Sequence, residues 1–244
     1  EDTRVTVKLL NHLELHKPMV AYHRHNCETA GPAILRRLEA GESCALVTDA
    51  GTPAISDPGE DMVALCAAAG VEVEAIPGPC ALVVALSASG LPTARFTFEG
   101  FLPLNKKNRR ARLEALADEE RTMVFYEAPH KLRATLDDLA EVFGPDRPLA
   151  VCRELTKLHE EVLRLTVGQA QARYAAQEPR GEFVLVAAGR PPRAEAPDGD
   201  GALARAQALR REGMALKAAA AQAAEEFGVK KRQLYNQMLE REET

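Results

Sequence analysis

The apolar runs of this chain are short and stop abruptly in loops of small, turn-forming residues, which constrains its architecture more than any other feature. Cys44 to Val47 ends in Thr48-Asp49-Ala50-Gly51-Thr52-Pro53-Ala54-Ile55-Ser56-Asp57-Pro58-Gly59. Val71 to Ile76 ends in Pro77-Gly78-Pro79, and a helical pattern follows from Ala81 to Ala88. Strand-like runs that alternate with helix-length segments through short connections imply βαβ units and a largely parallel sheet. Ligands of open α/β sheets bind outside such strand ends. Two glycine-bearing loops at successive ends therefore predict a small-molecule pocket.

The same alternation organises the rest of the chain. Val20-Ala21-Tyr22 is a short apolar run ahead of a helical stretch from Gly31 to Ala40, and Glu60 to Ala69 reads as a helix closed by Gly70, which suits a left-handed cap. These elements make a first α/β domain over residues 1–93. A second, over 94–190, has strands at Arg95–Glu99, Thr122–Tyr126, Pro148–Arg153, Glu161–Val167 and within Gly181–Ala188, with helices at Lys106–Ala117 and His130–Val142. Its later strands crowd together, which predicts mixed or antiparallel pairing. Residues 191–201 have the Pro, Gly and Asp content of a linker. The last segment, 202–244, is helical, and Phe227-Gly228-Val229 between two helices has the form of a helix-turn-helix. The expected fold class is α/β, with a parallel-sheet domain, a mixed-sheet domain and a small helical extension.

With 46% hydrophobic and 27% charged residues in 244, the chain can bury two modest cores. No apolar run approaches the ~18 residues of a membrane span, and Glu1-Asp2-Thr3-Arg4 carries no secretory pattern, so a cytoplasmic protein is expected. The chain opens without Met and without a strand ahead of Glu1, so a preceding segment, with whatever it adds to the site, is expected to be missing. Five widely spaced cysteines with no Cys-x-x-Cys pair argue against a disulfide scaffold or zinc ribbon. A net charge of −5 decides nothing about a nucleic-acid partner, because a local basic face is what matters there.

Several clusters bear chemistry. The Asp49–Gly59 loop lacks a Walker lysine and G-x-G-x-x-G spacing, and Pro53 and Pro58 interrupt its N–H donors. A zwitterionic or uncharged ligand resting on backbone groups fits it better than a phosphate; the plain alternative is a rigid turn. In Tyr22-His23-Arg24-His25-Asn26-Cys27, an extended backbone would point His23, His25 and Cys27 the same way. A polar substrate-contact loop is the preferred reading over zinc, since no fourth ligand is supplied. Lys106, Lys107, Arg109 and Arg110, with Arg112, crowd a helix start against its dipole, which suits RNA phosphates. Phe96, Phe98 and Phe101 just upstream have strand spacing and read as core. Lys230, Lys231 and Arg232 open the second helix of the helix-turn-helix and favour a nucleic-acid contact over the plain alternative, a solvent-facing basic end on an ordinary helical hairpin. Glu127-Ala128-Pro129-His130-Lys131 and Cys152-Arg153-Glu154-Leu155-Thr156-Lys157 each set a carboxylate beside cations, either to handle a hydroxyl proton or as surface ion pairs.

Taken together, Glu-Asp-Thr-Arg, Tyr-His-Arg-His-Asn, Thr-Asp-Ala-Gly-Thr-Pro-Ala-Ile-Ser-Asp-Pro-Gly, Ile-Pro-Gly-Pro, Phe-Glu-Gly-Phe-Leu-Pro, Phe-Tyr-Glu-Ala-Pro-His-Lys, Cys-Arg-Glu-Leu-Thr-Lys and Gly-Glu-Phe-Val-Leu-Val occur in order. From Glu1 to about Ala188 the chain resembles the ribosomal RNA small subunit methyltransferase I family of the tetrapyrrole-methylase superfamily, and its tail resembles that family's C-terminal extension. The resemblance implies S-adenosylmethionine as methyl donor, a ribose 2′-hydroxyl on a decoding-centre cytidine of 16S ribosomal RNA as acceptor, the small ribosomal subunit as partner, a homodimer, and no metal. It assigns Asp49, Ala50, Gly51, Thr52, Ile55, Cys80, Ala81, Glu127, Leu155, Gly181 and Glu182 to the cofactor cleft. Asp2 falls where tetrapyrrole members carry a proposed proton acceptor, and with Arg4, His23 and His25 it is expected to surround the ribose, Asp2 or one histidine serving as base or orienter. The family's first strand and its Pro-Ile-Gly loop are absent ahead of Glu1, and Arg24 and Cys27 stand where relatives often carry acids. Two other classes share parts of this pattern. A tetrapyrrole or diphthamide methylase would keep the cofactor loop, and a non-catalytic RNA-binding protein would keep the basic clusters.

Overall fold

The computed structural model describes residues 1–191 and 199–242. The chain divides into two compact units, Glu1–Arg190 and Pro191–Thr244.

The first unit is built on one five-stranded sheet: β1 (Phe96–Phe101), β2 (Thr122–Glu127), β3 (Pro148–Arg153), β4 (Glu161–Thr166) and β5 (Phe183–Ala187), in the order β1-β2-β5-β3-β4. β1 and β2 run parallel and every other pair is antiparallel, the mixed pairing expected from crowded strands. Period-two alternation gives the sheet two buried faces. Met123, Phe125, Leu149, Val151, Leu185 and Ala187 meet α5 (Lys106–Ala115), α6 (Pro129–Phe143) and α7 (Val167–Ala176) through Leu113, Leu132, Leu136, Leu139 and Ala170. Their neighbours Val124, Ala150, Cys152, Val184 and Val186 face Leu82, Ala85 and Leu86 of α4 (Ala81–Ser89). Because α4 covers this face, no break in packing appears near residue 93, where a domain boundary was expected.

Among the described residues no strand forms at 20–22, 44–47 or 71–76. A strand exists through its ladder, and here these segments have no ladder partner. Val20, Val47, Val73 and Ile76 consequently stay exposed, Ile76 by 74%. The helices between them form regardless: α2 (Cys27–Glu39) and α3 (Glu60–Ala68) pack around Tyr22, Met62 and Cys66. One further helix, α1 (Thr3–His12), was not anticipated. Asp2 caps it by accepting from the Arg4 amide, and its apolar residues Val5 and Leu9, with the C-cap Leu13, are exposed.

The second unit consists of α8 (Gly199–Arg211), α9 (Leu216–Glu226) and α10 (Lys231–Glu242). Ala202, Ala206, Ala219, Ala220, Ala223 and Ala224 are buried, and such small side chains let helices approach closely; Leu203, Leu209, Leu234 and Met238 fill the remaining space. Gly228, at φ 64°, makes the tight turn between α9 and α10. Of the linker expected over 191–201, residues 192–198 lie outside the described residues, and α8 has already begun at Gly199. All five cysteines are free, and burial pushes the Cys152 thiol up to about 11. Among the described residues no helix is long and apolar enough to cross a membrane.

Candidate active site

The loop over residues 49–59 is conformationally unusual. Gly51 has φ 78°, but Ala54 and Ser56 also adopt left-handed backbones, at 64° and 70°. Each such non-glycine residue costs about 1–3 kcal/mol and persists only where its surroundings over-determine it. Here Arg24 Nη2 donates to the Ser56 carbonyl at 2.8 Å, and Thr52 Oγ1 donates to the Pro79 carbonyl at 2.9 Å. The second bond joins this loop to its companion at 77–81. Gly59, at φ 142°, enters α3 so close to Leu46 that a Cβ would lie 2.6 Å from its side chain. Asp49, Ala50, Gly51, Ile55 and Ala81 are exposed, whereas Thr52 and Cys80 are half-buried.

Beside this loop a cleft of about 400 Å³ is lined by Glu1, Asp2, Thr3, Arg4, Ala21, His23 and Asp49. The Asp2 amide donates to Asp49 Oδ1 at 3.2 Å, which ties the head of α1 to the loop. The Arg4 guanidinium donates to both Asp2 carboxylate oxygens, at 2.7 Å from Nη2 and 3.0 Å from Nε. Those bonds, with the Arg4 amide, hold the Asp2 carboxyl down at about 2. His23 is positioned by Asn26, whose Oδ1 accepts from the His23 amide at 2.8 Å while its Nδ2 donates to the Ala21 carbonyl at 2.9 Å. His23 Nδ1 is buried with no hydrogen-bond partner among the described residues. His25 is exposed, with its ring 6.0 Å from that of His23, and does not line the cleft. The segment is not extended: residues 24–26 turn and Cys27 begins α2, so His23, His25 and Cys27 do not share a face. Among the described residues no group of three or more His, Cys, Asp or Glu could hold a metal ion.

The sheet supplies the other candidate positions at its strand ends. The Tyr126 hydroxyl accepts from the Leu82 amide at the head of α4, at 3.1 Å, and burial pushes it up to about 12. Glu127 is buried. One of its oxygens accepts from the Ala128 amide at 2.9 Å and the other from Thr135 Oγ1 at 2.6 Å, so the carboxylate braces the start of α6. After β3, Glu154 and Thr156 take left-handed backbones, and Glu154 Oε1 accepts from the Glu182 amide at 2.9 Å. Lys157 Nζ bridges Glu154 and Glu182 at 2.9 and 2.7 Å. Gly181, at φ 84°, is needed there, since a Cβ would stand 2.6 Å from the Glu154 side chain. Leu155 is half-buried on the α4 side of the sheet.

The basic cluster at α5 divides in two. Arg109 is not a surface cation: at 8% side-chain exposure it pairs at 2.7 Å with Asp138, itself 2% exposed, and Nη1 donates to the Leu104 carbonyl. The helical period turns Arg109 inward towards α6, which removes it from the RNA-facing set. Arg110 pairs with Glu141, and Arg112 with Glu99 at 2.5 Å. Lys106 and Lys107 are exposed, with no ion pair among the described residues. In the second unit Lys230, Lys231 and Arg232 are likewise exposed at the head of α10.

Comparison with known proteins places this arrangement. Residues 1–171 match the family model for tetrapyrrole (corrin/porphyrin) methylases, and residues 194–242 match that of the RsmI C-terminal HTH domain. The fold is similar to that of the methyltransferase CobJ, with a TM-score of 0.50 at 20% identity over 65% of this chain and 70% of that one. The family match over residues 1–171 makes the chain a methyltransferase of the tetrapyrrole-methylase type. The chain is 46% identical to ribosomal RNA small subunit methyltransferase I of Synechocystis sp. over 99% of its length and 87% of the relative's. It is 44% identical to the Pseudomonas aeruginosa protein of that name (99% and 86%) and 43% identical to the Escherichia coli O157:H7 one (99% and 85%). The chain belongs to the ribosomal RNA small subunit methyltransferase I family.

Proposed function

We propose that this protein uses S-adenosylmethionine to methylate the ribose 2′-hydroxyl of a decoding-centre cytidine in 16S ribosomal RNA, on the small ribosomal subunit and as a homodimer. The observation that carries the reading is the juxtaposition of Asp2, Arg4 and His23 with Asp49 in one polar cleft, at the mouth of a strained, glycine-bearing loop. The loop fits a zwitterionic donor: Ala50, Gly51 and Ile55 are exposed, no lysine stands among them, and the Thr52–Pro79 bond keeps the two loops together. Gly181 and Glu182 sit at the mouth of β5, held there by Glu154, and Glu127 contributes as a brace for α6. When bound, S-adenosylmethionine supplies an electrophilic sulfonium methyl group.

The chain's own part is to place and deprotonate the acceptor. Placement can lower the barrier by about 7–11 kcal/mol at best, and a base adds about 10²- to 10⁴-fold. Asp2, held ionised by Arg4, orients the ribose, and Arg4, 88% exposed, meets an adjacent phosphate. His23, which lines the cleft, takes the 2′-hydroxyl proton. Lys106, Lys107 and the cations at the head of α10 hold phosphates farther along the RNA.

Tritiated methyl transfer to small ribosomal subunits, run beside a precorrin control, tests the reading. Label is expected on RNA alone, and His23→Ala should lower kcat by about 10²-fold or more. Label on the precorrin would overturn the substrate, and unchanged rates in both His23→Ala and Asp2→Ala would overturn the site.

A further inference from the structure

We infer that Phe101 is a stacking platform for an unpaired nucleobase beside the ribose to be methylated, a subsite that rests on the RNA-methylation reading. Strand spacing predicts that Phe101 faces away from Phe98 and into the core. Instead, β1 carries a bulge: Phe98 pairs with Val124 but Gly100 pairs with Phe125, so Glu99 is an extra residue and Phe101 falls opposite Tyr126. Such a bulge re-aims every side chain after it. Gly100 permits it with φ 63°, and Glu99 is anchored by Arg112 at 2.5 Å. Phe101 thereby joins the Tyr126 side of the sheet, with ring centroids 5.6 Å apart, and keeps 53% of its surface exposed.

The place and the charge around it identify the occupant. Tyr126 accepts from the Leu82 amide just after the 77–81 loop, so Phe101 is one ring away from the methyl-donor side of the site. Lys131 Nζ stands 5.9 Å from the Phe101 centroid, and exposed Lys106 and Lys107 follow at the head of α5. An aromatic face with cations around it is what single-stranded RNA meets in proteins that splay its bases and hold its phosphates. A second copy of this chain is the other candidate; a two-fold contact would bury this patch on both subunits, so substitutions at Phe101 would then change sedimentation.

The test compares Phe101→Leu, which keeps apolar volume but removes the π-face, with Phe101→Trp. Binding of a short fluorescein-labelled cytidine-rich oligoribonucleotide, KM for small ribosomal subunits, calorimetric affinity for S-adenosylmethionine and sedimentation are measured on each. Phe101→Leu should weaken oligonucleotide binding and raise KM by about 5- to 150-fold, with Trp restoring both and with cofactor affinity and sedimentation unchanged. Wild-type binding and KM in Phe101→Leu would overturn the platform, as would a changed oligomeric state or a parallel loss of cofactor affinity. If the native protein transfers no methyl group to subunits yet binds the oligonucleotide through Phe101, the activity reading fails and the platform stands. If it methylates subunits and Phe101→Leu does so equally well, the reverse holds.

Discussion

The Asp2 carboxylate accepts from the Arg4 amide at 2.8 Å as well as from its guanidinium, and this decides which chemistry Asp2 can perform. General bases work best with a pKa near the operating pH, and a carboxyl held at about 2 is far below it. Because the folded value is depressed from the ordinary 3.8, the stabilisation from this contact is fully present above pH 3.8 and is lost as pH falls through about 2. Nothing in the neutral range titrates it. Asp2→Asn is therefore expected to leave the midpoint of the acid limb of kcat/KM where the native protein has it. The loss of rate should be smaller than in His23→Ala, because an anchor for Arg4 is removed and not a proton acceptor. A pH–rate series on the two variants checks this; an acid limb abolished by Asp2→Asn alone would make Asp2 the base.

Between α5 and α6 the Arg109–Asp138 pair closes a contact that Leu113 and Leu139 make apolar. Removing one partner of a buried pair leaves an uncompensated charge, so Arg109→Met should destabilise the first unit by about 3–5 kcal/mol, measured by urea denaturation. Adding Asp138→Leu should recover most of that loss, since a well-packed apolar pair often replaces a buried ion pair at little cost. The same helix shows where a sequence stops being readable. Its span and cationic content were plain, but which arginine turns inward depends on the partner helix, and Asp138 lies far along the chain. The strands at 122–127, 148–153 and 183–187 were legible because burial on both faces makes each a near-continuous apolar run of strand length. Those at 20–22, 44–47 and 71–76 carry a comparable apolar signal, yet a ladder needs a neighbour that their own residues do not specify. That residues 49–59 and 77–81 form loops was legible from Pro and Gly alone. The bulge that redirects Phe101 was not, since one extra residue in β1 is visible only against the register of β2. Asp2 as a cap, with Val5, Leu9 and Leu13 at helical spacing behind it, was the signal that could have found α1.

The two units divide the work of the proposed reaction in a way that can be separated experimentally. The cleft residues lie in Glu1–Arg190, whereas Lys230, Lys231 and Arg232 lie in the three-helix unit with its own buried core. Cations crowded at the head of α10 oppose that helix's dipole, a cost offset when phosphates bind there. Each phosphate contact on single-stranded RNA contributes about 0.7 to the slope of log K against log salt, and slightly more on a duplex. Lys231→Glu combined with Arg232→Glu should thus weaken binding to small ribosomal subunits and flatten that slope by about 1.5, as followed by filter binding between low and physiological salt. Both positions are exposed and neither contributes to the core formed by Leu234 and Met238, so the unit's helix content should persist. Affinity for S-adenosylmethionine should not move, because the residues proposed to hold the donor all belong to Glu1–Arg190. An equal loss of cofactor and subunit binding would instead make the extension a support for the cleft, and an unchanged salt slope would remove α10 from the RNA contact.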